Sequence, residues 1–241
     1  MNLMPHLIAA PILLPLLTAA VMLMLGEKHR PLKAKINLFS SLVGLGIAVL
    51  LLQWTQETGV PGSIGVYLPG NWQVPFGIVL VVDRLSALML VLTGIIGVSA
   101  LLFAMARWDG AGSSFHALFQ IQMMGLYGAF LTADLFNLFV FFEVLLAASY
   151  GLMLHGSGRS RVSAGLHYIS INLLASSLFL IGAALIYGVT GTLNMADLAL
   201  KIPLVPEADR GLLHAGAGIL AVAFLAKAGI CLLYTSPSPR D

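Results

Sequence analysis

Glu143 lies near the centre of twenty apolar residues that have the length of one membrane-spanning helix. The run extends from Leu135 to Leu154 and reads LFNLFVFFEVLLAASYGLML. Twenty residues of α-helix are about 30 Å long, which matches the hydrocarbon core of a bilayer. An ionised carboxylate at that depth costs roughly 2.5–3.5 kcal/mol on insertion scales, so packing alone does not account for it. We predict that Glu143 is a proton or ion site with a partner. The alternative is a misplaced span whose carboxylate reaches the membrane edge.

Lys227 is the other ionisable side chain inside a late apolar run, GILAVAFLAKAGICLL. Its neighbours are small: Ala223, Ala226, Ala228 and Gly229. Small residues let a second helix approach closely or let the helix unwind. A buried lysine tends to lose its proton when it is isolated and to stay charged when a carboxylate is near. Lys227 is therefore predicted to pair with Glu143. The alternative is that its long side chain snorkels to the headgroups.

The remaining polar residues near the apolar runs carry weaker signals. His167 falls in the first turns of a later run and is a candidate proton relay near neutral pH, although a neutral packing histidine fits as well. His116 and His155 lie at the ends of runs and are interpreted as interfacial. Three further polar residues are interpreted as hydrogen-bonding groups between helices, with the holding of water as the alternative: Asn137, Asn172 and Ser176. No spacing of His, Cys, Asp and Glu resembles a metal site, so no cofactor is predicted.

The composition indicates that these residues belong to a membrane protein. Of the 241 residues, 59% are hydrophobic and only 9% are charged, whereas a soluble domain carries about 25% charged residues. The chain is therefore predicted to be a polytopic all-α transmembrane bundle. A net charge of +2 gives no argument for nucleic-acid binding. The single cysteine, Cys231, excludes an intramolecular disulfide framework.

Seven apolar runs are long enough to cross the membrane. They cover residues 7–25, 36–54, 78–105, 115–133, 135–154, 164–190 and 212–234. Pro11 and Pro15 predict a kink or a broken first turn in the first run, which we interpret as a retained helix. Asp83 and Asp134 are interpreted as solvated caps at the starts of spans. Asn194 is predicted to cap a short surface helix between the last two spans.

The charges of the loops predict the orientation. The loops after spans one, three and five hold seven basic residues: Lys28, Arg30, Lys33, Lys35, Arg107, Arg159 and Arg161. The alternate loops hold only Lys201 and Arg210, with Arg84 at the start of span three. Because basic loops stay in the cytoplasm, the N-terminus is predicted to lie outside.

Four segments resemble the antiporter-like subunits shared by respiratory complex I and the Mrp-type (Pha or Mnh) multisubunit cation/proton antiporters. TADLFNLFVFFEVLLAASYGLMLHG resembles the family's fifth helix, and VVDRLSALMLVLTGIIG its third. NLLASSLFLIGAALIYGVTGTLNMADLA resembles its sixth helix in the version typical of the D-type subunit of Mrp antiporters. FLAKAG resembles the seventh, which carries a functional lysine.

The resemblance implies a bacterial inner-membrane transporter subunit rather than an enzyme. Glu143 and Lys227 fall on the family's paired proton-pathway residues, and His167 falls near a position that often holds lysine in complex I relatives. Other membrane subunits are implied as partners, with protons and Na⁺ or K⁺ as the transported ions. The alternative within the family is a proton-pumping subunit of complex I or a related hydrogenase. A seven-helix retinal protein also fits the outline, but its helix-three carboxylates are missing here.

Two departures from the family pattern concern the C-terminal part of the chain. Family members have about fourteen helices, whereas this chain reaches only the seventh. The family also continues past its lysine into a Pro-containing break, whereas this chain ends in CLLYTSPSPRD. Our hypothesis is an N-terminal fragment, with residues 1–230 from the antiporter-like domain and residues 231–241 of foreign origin.

Overall fold

The fold is described from a computed structural model. It describes residues 4–26, 29–57, 64–72, 74, 77–112, 114–156 and 158–229. The polar tail at residues 231–241 and Cys231 lie outside the described residues, so the predicted boundary near residue 230 stays a prediction.

Helices make up nearly all of the described chain. Nine α-helices follow one another in these residues: α1 (Met4–Leu7), α2 (Ala10–Met24), α3 (Arg30–Glu57), α4 (Arg84–Met105), α5 (Phe115–Leu131), α6 (Leu135–Met153), α7 (Arg159–Thr190), α8 (Met195–Lys201) and α9 (Glu207–Lys227). The all-α class predicted from composition is confirmed. The predicted broken first turn is also present, because α1 stops before α2 begins with Pro11 in its first turn.

Five of the described helices are long and apolar enough to cross a membrane: α3, α4, α6, α7 and α9. Two shorter helices occupy the predicted first and fourth spans, α2 with 15 residues and α5 with 17. Together these seven helices correspond to the seven predicted spans. Their ends differ from the predicted ones by up to seven residues, and the starts of α3 and α4 and the end of α9 differ most.

The predicted third span is wrong over its first six residues. The prediction assigns residues 78–83 to the helix, but Leu80–Val82 forms strand β2, which pairs antiparallel with β1 (Gly65–Tyr67). The segment is rich in valine and isoleucine, and a short apolar run of this kind fits a strand as well as a helix. Helix α4 begins only at Arg84, where the Asp83 carboxylate accepts a hydrogen bond from the backbone N–H of Ser86 at 2.7 Å.

Two further predicted caps are present, and one of them is buried. Asn194 Oδ1 accepts hydrogen bonds from the backbone N–H groups of Ala196 and Asp197, so α8 begins as predicted. Asp134 Oδ1 accepts one from Asn137 N at 2.9 Å. Asp134 is only 8% exposed, so its interpretation as a solvated cap is wrong. A backbone bridge between Asp134 and Asn194 joins the starts of α6 and α8 at this buried cap.

The buried apolar residues form two clusters. The first joins the N-terminal helices and the hairpin around Leu51, Leu90 and Tyr127. The second joins α6, α7, α8 and α9 around Phe179, Leu220 and Ala223. Helix α5 packs against α2 and α6 and so connects the two parts. The predicted functional residues Glu143 and Lys227 belong to helices of the second part.

Candidate functional site

The side chains of Glu143 and Lys227 meet, as the sequence predicts. Lys227 Nζ lies 3.7 Å from Glu143 Oε1. The Ser176 hydroxyl lies between them, accepting a hydrogen bond from Lys227 Nζ at 3.0 Å and donating one to Glu143 Oε1. The Lys227 side chain is 12% exposed and that of Glu143 29%. The arrangement is an ion pair bridged by a hydroxyl at the junction of α6, α7 and α9.

Two glycines bring α7 and α9 close enough for this contact. A Cβ atom built at Gly182 would lie 2.9 Å from the carbonyl oxygen of Gly216, and one built at Gly216 would lie 3.1 Å from the carbonyl oxygen of Gly182. The two backbones therefore touch directly, as small residues permit between membrane helices. Because α7 and α9 pack so closely, the Lys227 side chain reaches the turn of α7 that contains Ser176.

Helix α9 ends at the predicted functional lysine. Lys227 is its last residue, and Gly229 follows with φ at +62°, a left-handed conformation that favours glycine. The backbone N–H groups of Ala228 and Gly229 close the end by bonding to the carbonyls of Phe224 and Ala226. A cation in the last turn also interacts favourably with the negative end of the helix dipole. The predicted span at residues 212–234 is corrected accordingly, because its helix covers Glu207–Lys227.

An aromatic cluster forms the apolar wall of the site. The rings of Phe142, Phe179 and Phe224 contact one another with centroids 5.5–6.1 Å apart. Lys227 Nζ lies 5.5 Å from the centre of the Phe142 ring, within range of a cation–π contact. These rings give the ion pair apolar neighbours, so its electrostatic interactions are stronger than they would be at a surface.

A cavity opens beside Lys227, and the rings of Phe142 and Phe224 form part of its lining. Its volume is about 360 Å³, which is room for on the order of ten waters. Five polar residues from four helices line it: Gln122, Ser149, Tyr168, Asn172 and Lys227. Gln122 Oε1 is buried and accepts no hydrogen bond from the described residues, so a water in the cavity would satisfy it. Ser149, near the end of α6, and Tyr168, in the first third of α7, place the cavity in the predicted cytoplasmic half of the bundle.

His167 does not join the pair. It is exposed on α7, and its Nδ1 hydrogen-bonds to the carbonyl of Ser163 one turn earlier. Sequence reasoning gave Ser176 only a packing role, although it is the residue that contacts both charges. The available signal was its depth, because Ser176 lies at the centre of the predicted span at residues 164–190, as Glu143 lies near the centre of its own span.

Comparisons with known proteins agree with the fold. Residues 132–235 match the family described as NADH:quinone oxidoreductase/Mrp antiporter, TM. The D subunit of a probable K⁺/H⁺ antiporter from Rhizobium meliloti is 58% identical over 227 residues, which is 93% of this chain and 42% of the relative. The chain is a homologue of antiporter D subunits. The D subunit of a Na⁺/H⁺ antiporter from Alkalihalophilus pseudofirmus is 40% identical over 96% of this chain and 46% of its own length.

A solved structure shares the fold of this chain. It is the structure of the Mrp complex from Dietzia sp. DQ12-45-1b, and it superposes with a TM-score of 0.80 at 35% identity, over 93% of this chain and 41% of that one. The chain spans less than half the length of these relatives. It is a multi-pass membrane protein.

Proposed function

We propose that the protein to which this chain belongs is a subunit of a multisubunit K⁺/H⁺ or Na⁺/H⁺ antiporter of the bacterial inner membrane. In this proposal Glu143 and Lys227 carry protons at mid-membrane. The observation that carries the proposal is the 3.7 Å contact between these two side chains, with the Ser176 hydroxyl bonded to both. The names of the two antiporter relatives support the exchange of a monovalent cation for a proton.

The contact provides a route for one proton. Lys227 Nζ–H points at Ser176 Oγ, and the Ser176 O–H points at Glu143 Oε1. Moving both hydrogens one step leaves a neutral lysine, an intact serine and a protonated glutamate. The charged and the neutral form of the pair therefore interconvert without a net change of charge. In a low-dielectric setting the two forms can be close in free energy, because desolvation offsets the attraction between the charges.

The cavity beside Lys227 supplies the access. Water there would reach the ammonium group from the predicted cytoplasmic side, past the hydroxyls of Ser149 and Tyr168, which are 2.9 Å apart. In the proposal a proton taken from this water recharges Lys227 after the pair has become neutral. His167 remains a predicted pathway residue, and its exposed position on α7 leaves it to act at the surface of this chain rather than at the pair.

Other membrane subunits are the proposed partners, because the solved relative is part of an Mrp complex. The transported partners are protons and Na⁺ or K⁺, and the bilayer covers the remaining apolar surface. The large exposed side chains on α2 and α4, including Met24 and Phe103, are consistent with lipid or subunit contact.

A complex I subunit is the second candidate. The N subunit of an NADH-quinone oxidoreductase from Desulforudis audaxviator is 36% identical over 202 residues, covering 82% of this chain and 40% of the relative. The identity to the Rhizobium meliloti antiporter subunit is much higher, at 58%, and favours the antiporter. The genes beside the coding sequence separate the two, because they encode either antiporter subunits or dehydrogenase subunits.

The test uses the full-length protein in its complex, assayed for cation-dependent proton exchange in membrane vesicles. Glu143→Gln and Lys227→Ala are each expected to abolish exchange, because neither variant can form the charged pair. The matched controls are Glu207→Gln, at an exposed first turn, and Lys201→Ala, at a partly exposed ion pair outside the spans. Normal exchange in both site variants would refute the proposal.

A further inference from the structure

A second set of buried polar side chains lies between α3 and α5 and shares no residue with the Glu143–Lys227 site. We call it the α3–α5 column; it consists of Asn37 and Ser41 from α3 and His116, Gln120 and Tyr127 from α5. Each of the five is at most 4% exposed. An apolar core packs without such side chains, so the burial of these polar groups needs an explanation of its own.

Hydrogen bonds join four of these side chains in series. Gln120 Nε2 donates to Asn37 Oδ1 at 2.6 Å and to Ser41 Oγ at 3.2 Å. Since Asn37 Oδ1 faces Gln120, its amide nitrogen faces His116 and donates to Nδ1 at 3.0 Å. His116 Nδ1 therefore accepts, and the ring hydrogen is on Nε2. Nε2 lies 3.4 Å from Asp109 Oδ2, whose side chain is 24% exposed and reaches the surface.

Protonation of His116 would change the whole series. A proton on Nδ1 would point at the Asn37 amide nitrogen, which is also a donor, so the Asn37 amide would have to turn over. Its oxygen would then face His116 and its nitrogen would face Gln120, which would have to turn in the same way. A change in the charge of His116 would therefore change the hydrogen bonds of the series as far as Ser41.

Tyr127 marks the inner end of the column. Its side chain is 1% exposed, and its hydroxyl finds no hydrogen-bond partner among the described residues. A Cβ atom at Gly44 would lie 3.6 Å from that hydroxyl. Gly44 is one turn beyond Ser41 on α3, so the hydroxyl points towards the end of the bonded series. A water between Ser41 and Tyr127 would give the Tyr127 hydroxyl the partner that it lacks among the described residues.

The column extends about halfway across the bilayer. From His116 to Tyr127, α5 rises about 16 Å, which is half of a hydrocarbon core about 30 Å thick. Both α3 and α5 run inward from the predicted cytoplasmic side, where Asp109 lies. The column therefore joins that surface to the middle of the membrane.

The charged groups that face His116 come from three elements. Asp109 belongs to the 3₁₀ turn before α5, Lys33 is 7% exposed and lies one turn before Asn37, and His155 contacts the same Phe115 ring as His116. Arg30 is engaged with the carbonyl of Gly110. Helix α2 has no ionisable side chain. The ionisable side chain of α4, Arg84, lies at the end of that helix farther from His116. Helix α6 is the remaining helix packed against α5. Its carboxylate, Glu143, is hydrogen-bonded within the Glu143–Lys227 site.

We propose that the α3–α5 column is an internal site that binds water and a proton, with His116 as the proton-binding residue and Asp109 as its contact with the cytoplasmic surface. The site is distinct from the Glu143–Lys227 pair. Its tests read stability and water contact rather than ion exchange, so their outcome is independent of the antiporter assignment.

The presence of bound water in the column is tested first, on the full-length protein in its complex. Hydroxyl radicals generated by X-rays from bound water are expected to label Tyr127 despite its burial. Phe179, a buried ring in the second apolar cluster at 0% exposure, is the control and is expected to stay unlabelled. Equal absence of label on both rings would overturn the proposal of bound water.

The variant Tyr127→Phe gives a second test of whether water is bound at the Tyr127 hydroxyl. If the hydroxyl holds a bridging water, its removal lowers the melting temperature of the complex. If the hydroxyl is dry and unpartnered, its removal raises the melting temperature, because a buried polar group without a partner is destabilising. A rise would overturn the proposal.

The proton is tested by the pH dependence of the melting temperature between about pH 5 and pH 8, where histidines titrate. The difference between wild type and His116→Gln is expected to vary with pH, since a group that titrates differently when folded makes stability pH-dependent. The exposed His214→Gln is the control, and its difference is expected to stay constant. A constant offset for His116→Gln as well would show a packing role and overturn proton binding.

Discussion

The Ser176 hydroxyl is the one side-chain group that bonds to both members of the ion pair among the described residues. At 3.7 Å and an effective dielectric constant of about 20, two unit charges attract by about 4 kcal/mol. The serine adds a donor to the carboxylate and an acceptor to the ammonium, so it favours the charged form and connects the two by hydrogen bonds. Its loss would therefore affect both the stability and the connectivity of the pair.

Ser176→Ala is accordingly expected to slow cation/proton exchange by roughly tenfold or more, because a hydrogen bond to a charged group contributes about 1.5–3 kcal/mol. Ser176→Thr keeps the hydroxyl and is expected to retain much of the activity. The neighbouring Ser177→Ala is the control, since that hydroxyl bonds only to the carbonyl of Leu173 among the described residues. Exchange measured in vesicles at the wild-type rate in Ser176→Ala would contradict a connecting role for the serine.

Helices α7 and α9 depend on Gly182 and Gly216 for their close approach. A methyl group at Gly182 meets the backbone of Gly216 and Leu220 as well as the Leu220 side chain, so a change of rotamer alone does not relieve the contact and the helices must give way. Overpacking of this kind typically costs about 1–3 kcal/mol. The same displacement would separate Lys227 from Ser176, so the two glycines affect the site without contacting it.

Gly182→Ala is therefore expected to lower the melting temperature of the complex and to reduce exchange. Gly218→Ala, on the same helix as Gly216 but with nothing within 4 Å of its added methyl, is the control. It is expected to be neutral or to stabilise by up to about 1 kcal/mol, because alanine favours helix over glycine. An equal effect of both variants on melting and exchange would exclude the backbone contact as the cause.

Across the whole molecule, the sequence predicts the helices better than their contacts. Length and hydropathy locate the spans, because twenty apolar residues have few alternatives in lipid. The strand at Leu80–Val82 was missed because valine-rich runs look alike in strands and buried helices. The role of Ser176 was missed because a sequence does not say which face of α7 meets two neighbours. The burial of His116 and His155, at 4% and 7% exposure, does not follow from their positions at the ends of spans, because it arises from contacts with Asp109 and with the carbonyl of Trp108 in the turn before α5.

The predicted orientation is testable on the whole chain. In a background with Cys231→Ser, the variants Leu204→Cys and Arg159→Cys are expected to react with a membrane-impermeant maleimide from opposite sides. Both positions are exposed. In right-side-out vesicles Leu204→Cys is expected to be labelled and Arg159→Cys protected, because basic loops stay in the cytoplasm. The reverse pattern would place the N-terminus inside.

The contact between Gly182 and Gly216 has a mechanical consequence for the site. It lies eleven residues before Lys227 along α9, a distance of about 16 Å. If α9 tilts about this pivot by about 10°, the backbone of Lys227 moves by about 3 Å, which is comparable to the present separation of the two charges. A rigid tilt of α9 would thus move Lys227 far enough to break and re-form the ion pair. Because Lys227 is at the end of α9, the movement requires no turn of the helix to unwind.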